Sequence, residues 1–412
     1  MKTATAFMFL SLALCYASAA HAVTFDWATV GNPGNAADKN YGNGGAFGAV
    51  ADTYRISKHE VTNDQYAEFL NAVAATDNFG GTDPTLYNSS MDITQSGSSG
   101  SFSYAVNTGF GPNPVNNVSF FDSMRFVNWL ENGQGSGSTE SGVYTIDIDN
   151  GNNETRALGA TFFIPSEDEW YKAAYYDPRS EAAGGPRFDD NYWLKPTRSD
   201  TSPTSEAPPG GTNSANWIGA VGDTTGVGAY PNSTSFYGTF DQGGNVKEWN
   251  ECDPGFRGYR GAGWDFFFGM AASERNRVSA HSAFDDLGFR VASIFVLPGD
   301  FDGDGFVTGT DFLMWQQGES PIPLSQSDLA AWEANYGTVP IQPGDFDGNG
   351  EVNGFDFLEW QRNPSIGSLT DWEMNYGMVA PLSATSAAVP EPTTSALALA
   401  ALCFVIGRRR AF

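Results

Sequence analysis

The fifty residues from Asp241 to Arg290 constrain this chain more than any other stretch. They read DQGGNVKEWNECDPGFRGYRGAGWDFFFGMAASERNRVSAHSAFDDLGFR, with Gly pairs, single Trp residues and paired carboxylates in close succession. Neither the 3.6-residue period of a helix nor the two-residue period of a strand runs through them. Glycine at this density serves backbone positions that a Cβ would block, and the Trp residues between them point to packed loops. A domain of that kind presents its chemistry on surface loops carried by the packed frame.

Upstream, helical signals recur three times between irregular segments. Thr62 and Gln65 have capping-box spacing before Tyr66, Phe69, Leu70 and Val73, which predicts a short amphipathic helix from about Asn63. Ser119 and Asp122 repeat the signal before Met124, Val127 and Leu130, and Ser166 and Glu169 do so before Trp170, Ala173 and Ala174. The Gly/Ser/Thr/Asp-rich run from Thr76 to Ser103 reads as an exposed insertion, and Ser199 to Gly211 as a surface loop. Glu167, Asp168 and Glu169 read as helix-start acids. Three helices among long loops give an α+β domain.

The ends of the chain and its duplication set the domain limits. Residues 1–22 read as a secretory signal peptide, with Lys2, an apolar run from Phe7 to Leu14 and the small-residue site Ala20-His21-Ala22. From Pro298 the segments GDFDGDGFVTGTDFLMWQQ and GDFDGNGEVNGFDFLEWQR repeat, with Asp300 and Asp345 in equivalent places 45 residues apart. Asp300, Asp302 and Asp304 stand at positions 1, 3 and 5 of a twelve-residue loop, with Phe306 at 7, Thr308 at 9 and Asp311 at 12. Asp345, Asp347, Asn349, Glu351, Asn353 and Asp356 repeat them. This spacing turns alternate oxygens toward one point, as a calcium ion with its six to eight oxygen ligands requires. The expected division is thus residues 1–22, a domain at 23–297, two calcium repeats at 298–380, and a linker and tail at 381–412.

The net charge of −27, from 48 acidic and 21 basic residues, argues against a basic face for nucleic acid or an anionic membrane. Cys252 is the single cysteine outside the two terminal segments, so the folded part has no intramolecular disulfide to form. His59 and His281 are the only histidines after the signal, and neither a Gly-x-Ser-x-Gly elbow nor a P-loop occurs.

YRISKHEVTNDQYAEFLNAV, NPVNNVSFFDSMRFVNWL, FFIPSEDEWYKAAYYDP, GGNVKEW, YRGAGW and LGFRVAS occur in the order of motifs in the formylglycine-generating enzyme, or sulfatase-modifying factor, family, which the chain resembles from Val23 to Ser293. The resemblance implies a loop-rich C-type-lectin-like fold with bound calcium. It implies for active members two copper-binding cysteines that oxidise a sulfatase cysteine to formylglycine. Those two positions fall here on Phe266 and Ala271, and no cysteine occurs between Asp253 and Leu402. The family's second calcium site maps onto Asp241, Gly244, Val246 and Glu248, and its first onto Asn216, Trp217, Asp223 and Thr225. A buried acidic turn satisfied by backbone N–H groups is the alternative for these residues.

The repeats resemble dockerin type I modules, a small all-α EF-hand-like fold whose partners are cohesins. Gly309-Thr310 and Gly354-Phe355 replace the usual Ser/Thr pairs, and the longer spacing leaves room for an extra helix carrying Leu329, Trp332 and Tyr336. A calcium-stiffened spacer is an equal reading. The tail resembles a PEP-CTERM sorting signal, which implies an exosortase-type enzyme as partner and a bacterial cell surface or extracellular matrix as destination. Together these expectations describe an exported calcium-binding scaffold. Trp264, Phe266, Phe267 and Phe268 form either an aromatic surface for a glycan or other partner, or core. An enzyme of unknown reaction on the same frame, or a subunit of a polysaccharide-degrading assembly, are the competing readings.

Overall fold

The computed structural model describes residues 22–39, 46–79, 85–147, 154–187, 190–252, 257–294, 297–301, 307–320, 322–337, 344, 346, 352–363, 369, 372 and 376. The expected signal peptide, 1–22, save its last residue, and the expected linker and tail, 381–412, lie outside them.

One sheet holds β1 (Trp27–Val30), β2 (Tyr54–Ser57), β12 (Ala292–Ile294) and β5 (Phe162–Phe163) in that order, all antiparallel. Ala292 faces Ile56 on one side and Phe163 on the other, so the last strand of the domain is inserted beside its first ones. A second sheet has the order β10 (Asn276–Val278), β9 (Arg257–Arg260), β8 (Lys247–Asn250), β11 (Leu287–Gly288), with β11 parallel to β8. All four of its strands come from the fifty residues that carry no sequence period. The reason is burial: every residue of β8 is inside, so apolar and polar positions do not alternate.

The three expected capping boxes are formed. They open α1 (Asn63–Val73), α2 (Phe120–Glu131) and α3 (Glu167–Tyr175), each with reciprocal bonds between the cap residue and the third helical residue. Tyr66 and Phe69 of α1 pack with Phe126 and Trp129 of α2, and Phe289 meets Phe126 edge-on at 5.4 Å. The sequence predicts one buried face for α2, whereas all residues from Phe120 to Leu130 are buried. Its second side is enclosed by the rest of the domain, where Arg125 is matched by Glu140 at 2.8 Å.

The run from Thr76 to Ser103 is not simply an exposed insertion. It leads into a hairpin of β3 (Ile93–Ser96) and β4 (Ser103–Val106), and Leu86, Met91 and Ile93 are buried. Its tip, Gly97 to Ser101, is exposed as the composition suggests, as are Thr76, Asn78, Thr85, Ser89 and Ser90. A short parallel pair, β6 (Thr204–Ser205) and β7 (Ser214–Ala215), frames the polar loop that follows α3.

Beyond the domain, α4 (Gly309–Gln317) and α6 (Gly354–Arg362) occupy equivalent places in the two repeats, and α5 (Gln326–Asn335) is the extra helix that the spacing leaves room for. Phe312 packs on Trp332 at 4.7 Å, and Phe357 on Trp372 at 4.8 Å, both at 34°. The repeats therefore share one aromatic construction. Among the described residues no helix is long and apolar enough to cross a membrane.

Candidate functional site

The segment from Asp241 to Trp249 enters the domain through tight, left-handed turns. Asp241 and Asn245 have φ of 56° and 61°, and Gly244 has φ of 101°. A Cβ on Gly244 would stand 2.6 Å from the Asn216 carbonyl oxygen, so glycine is required by both conformation and space. Asn245 is the link between neighbouring loops. Its backbone N–H donates to Asn216 O at 2.8 Å, and its Oδ1 accepts from Thr225 N at 2.9 Å. Its Nδ2 donates to Glu60 Oε1 at 3.2 Å, and its carbonyl accepts from Trp264 N at 2.8 Å. The residues of both expected cation sites are thus held together by one buried asparagine.

Glu248, the acid at the end of this segment, is fully buried and taken up by protein partners. Arg290 binds it through Nε at 2.5 Å and Nη2 at 2.6 Å, and the Trp170 indole donates to it at 2.7 Å. Asp241 accepts from Gly228 N at 2.6 Å, and burial pushes its carboxyl up to about 6. Glu60, which the sequence did not single out, joins the cluster. Burial, then the nearby Asp241, raise its carboxyl well above the usual range, and its Oε2 is buried without a hydrogen-bond partner. Three carboxyl groups thus share one guanidinium, and burial pushes the two that are not paired with it toward their neutral forms.

Residues of the other expected set also lie close together. Asn216 donates through Nδ2 to Asp223 O at 2.8 Å, while its buried Oδ1 has no partner. Trp217 O accepts from Ser205 Oγ at 2.6 Å. Orphaned buried oxygens are rare and call for an explanation such as an ion. Oxygen-only surroundings fit calcium and not zinc or copper. No cluster of three His, Cys, Asp or Glu side chains of metal-holding geometry occurs among the described residues, so carbonyl and amide oxygens would supply much of either shell.

The loop bearing Trp264 to Phe268 rests on this floor. Trp264 O accepts from Gly219 N at 2.7 Å and its indole donates to Asp285 O at 3.3 Å. Phe266, Phe267 and Phe268 are 38%, 67% and 68% exposed, which settles these rings as surface and not core. Beneath Phe266 lies Lys247, its Nζ 4.7 Å from the ring centre and 2.6 Å from Asp286 Oδ2. Burial raises the Asp286 carboxyl, against the pull of Lys247. Ala271 is half-buried behind the loop, and Cys252, across the sheet on β8's exit, has a thiol raised by burial.

The acids at the start of α3 serve structure. Glu167 pairs with Arg260 at 2.7 Å and Arg275 at 2.5 Å, Asp168 accepts from Gly48 N at 2.8 Å, and Glu169 pairs with Arg156 at 2.8 Å. Nε2 of His59 sits beside Gly228, and burial followed by Arg290 lowers its imidazole to about 4.

In the repeats, Asp311 and Asp356 are fully buried and close their loops alike. Phe301 N and Thr308 N donate to Asp311 at 2.6 and 2.7 Å; Phe346 N and Asn353 N donate to Asp356 at 2.7 Å each. Asp300 is buried. Asp302, Asp304, Phe306, Asp345, Asp347, Asn349 and Glu351 lie outside the described residues.

A family model described as the sulfatase-modifying factor enzyme 1-like domain matches residues 34–294. Among solved structures, CarF is similar at 19% identity, covering 66% of this chain and 99% of that one with a TM-score of 0.46. Treponema denticola variable protein 1 is 21% identical over 68% of this chain and 98% of its own, with a TM-score of 0.42. PvdO from Pseudomonas aeruginosa is 18% identical over 66% and 92%, with a TM-score of 0.37. No curated protein matches by sequence.

Proposed function

Because this chain belongs to the sulfatase-modifying factor enzyme 1-like family across residues 34–294, with that family's C-type-lectin-like mix of helices and sheets, we propose that it keeps the family frame as a calcium-braced binding scaffold and does not generate formylglycine. The observation that carries this reading is the loop at the family's copper-binding positions. Phe266 and Ala271 stand there, a phenyl and a methyl group that offer copper no donor. The single cysteine of the domain, Cys252, lies before β9 and not on this loop. What the loop presents instead is three exposed aromatic rings on a rigid base, the composition of a recognition surface.

Calcium in this proposal would be held by Asn216 and Asp223 in one place and by Asp241, Gly244, Val246 and Glu248, with Glu60 close by, in the other. A bound cation would neutralise buried carboxylates and pin the loops that carry Trp264. The two repeats are proposed to bind calcium through loops 300–311 and 345–356, a reading supported by the matched closure at Asp311 and Asp356. They would act as a spacer or as a docking module for a cohesin-like protein. Export and sorting to the bacterial surface complete the proposal, resting on residues 1–22 and on the tail after residue 381.

The test is direct. Full-length protein loaded with copper and incubated with a cysteine-containing sulfatase peptide is expected to yield no aldehyde by mass spectrometry. Catalytic aldehyde formation would refute the scaffold reading.

A further inference from the structure

The aromatic loop borders a cleft of about 350 Å³, lined by Phe266, Phe268, Ser273, Glu274, Arg275 and Asn276. We propose that this cleft binds a neutral glycan chain, its sugar rings stacked on Phe266 and Phe268 and its hydroxyls bonded to Ser273 and Asn276. The inference deepens the scaffold reading and rests on it, since it takes the loop for a binding surface.

Size, composition and charge each support this class of ligand. The volume is at the low end of small-molecule sites, roughly 300–1,000 Å³, and suits a short stretch of oligosaccharide. Apolar contact is confined to the two rings, which stand at 74° with centroids 6.4 Å apart. A pyranose has the matching amphipathic form, with C–H faces for the rings and hydroxyls around its edge. A peptide side-chain anchor would need an apolar floor, and the rest of the lining is polar.

Among the described lining residues the one cation, Arg275, is already paired. Arg275 is held by Glu167 through Nε at 2.7 Å and Nη2 at 2.5 Å. Arg260 shares the same glutamate, and its Nη1 donates to the Glu274 carbonyl at 2.9 Å. The Glu274 carboxylate accepts from Gly269 N. Arg260 and Arg275 are thus committed to Glu167, within a chain of net charge −27 that repels polyanions at long range.

The rings are held ready before any ligand arrives. Gly269 has φ of 102°, and a Cβ there would lie 2.8 Å from Gly261 O, so the loop is pressed onto the sheet behind it. Lys247 backs Phe266 from below. Presenting rings on a fixed base lowers the ordering cost of binding.

The experiment is retention of the full-length protein on neutral polysaccharides (xylan, laminarin, cellulose) and on anionic ones (heparin, polygalacturonate), at low and raised salt. Retention on at least one neutral polymer, undiminished by salt, is expected. Phe266→Ala and Phe268→Ala are each expected to weaken it up to about tenfold, the scale of one aromatic contact, and Asn276→Ala to weaken it as well. The melting curve of Phe268→Ala should match the parent, because that ring is exposed, so its loss of retention cannot come from unfolding. Retention on anionic polymers alone, on none of the probes, or undiminished in the Phe266→Ala/Phe268→Ala double variant would overturn the inference. None of these outcomes bears on formylglycine generation, which the aldehyde assay reads separately.

Discussion

Arg290→Met is the substitution whose cost is best defined by the fold. The guanidinium binds Glu248 twice, at 2.5 and 2.6 Å. It also donates to Ser57 O at 3.0 Å, Lys58 O at 3.1 Å and Phe240 O at 2.8 Å, and so ties β2 and the loop before Asp241 to the last strand region. Both partners of the ion pair are fully buried. Removing one member of such a pair strands the other charge, at a cost of about 3–5 kcal/mol. Here the stranded Glu248 would be left near Glu60 and Asp241 with no cation at all. For a domain of this size each kcal/mol moves the melting temperature by about 2–4 °C, so a fall of roughly 10 °C is expected in chelator. The companion Arg290→Met/Glu248→Leu, which removes both charges, should recover much of that loss. Calcium should raise the melting temperature of Arg290→Met by more than it raises the parent's, since it would replace the missing positive charge. Calorimetric melts of the three proteins with and without calcium decide the matter. A loss below about 1 kcal/mol for Arg290→Met, or no recovery in the double variant, would refute the view that this pair balances a buried acidic cluster.

Other consequences are smaller or more local. Burial lowers the Lys172 ammonium, whose Nζ donates to Asn32 O at 2.7 Å, to about 7. The unfolded chain then binds the extra proton between about pH 7 and 10, so this group makes stability rise with pH through that window by roughly 2–4 kcal/mol, and Lys172→Met should flatten that rise in denaturant titrations. Phe267→Ala/Phe268→Ala removes exposed rings and should change the unfolding free energy by less than about 0.5 kcal/mol. Asp311→Ala and Asp356→Ala should each remove one calcium site in titration calorimetry. The same two variants should also reduce the calcium-dependent change in Trp fluorescence, because the Trp332 and Trp372 indoles donate to the Thr308 and Asn353 carbonyls of those loops at 2.6 Å.

The helices were legible because their signals are local. Thr62 with Gln65, Ser119 with Asp122, and Ser166 with Glu169 each bond within one turn, so sequence spacing and spatial contact coincide. The strands from Lys247 to Gly288 were not legible, since all are short and β8 and β11 are buried on both faces, so the alternation that marks a strand does not appear there. Glu60 escaped notice for a different reason. It stands just before a capping box, and only tertiary packing brings it to Asn245, 185 residues along the chain. The expected cation residues 216, 223, 241 and 248 do converge on one region, yet the commitment of Glu248 to Arg290 could not be read from spacing. The exposure of Phe266 to Phe268 was open between surface and core, because three consecutive phenylalanines carry no period to decide it.

The central claim is that the loop from Arg260 to Ala271 holds the family's copper-binding positions and has lost their thiols. Titration of Cu(I) against the parent, Phe266→Cys, Ala271→Cys and the Phe266→Cys/Ala271→Cys double variant, all in a Cys252→Ala background, tests this directly. Only the double variant is expected to gain one tight, stoichiometric Cu(I) site. Equal binding by the parent, or no gain in the double variant, would contradict it.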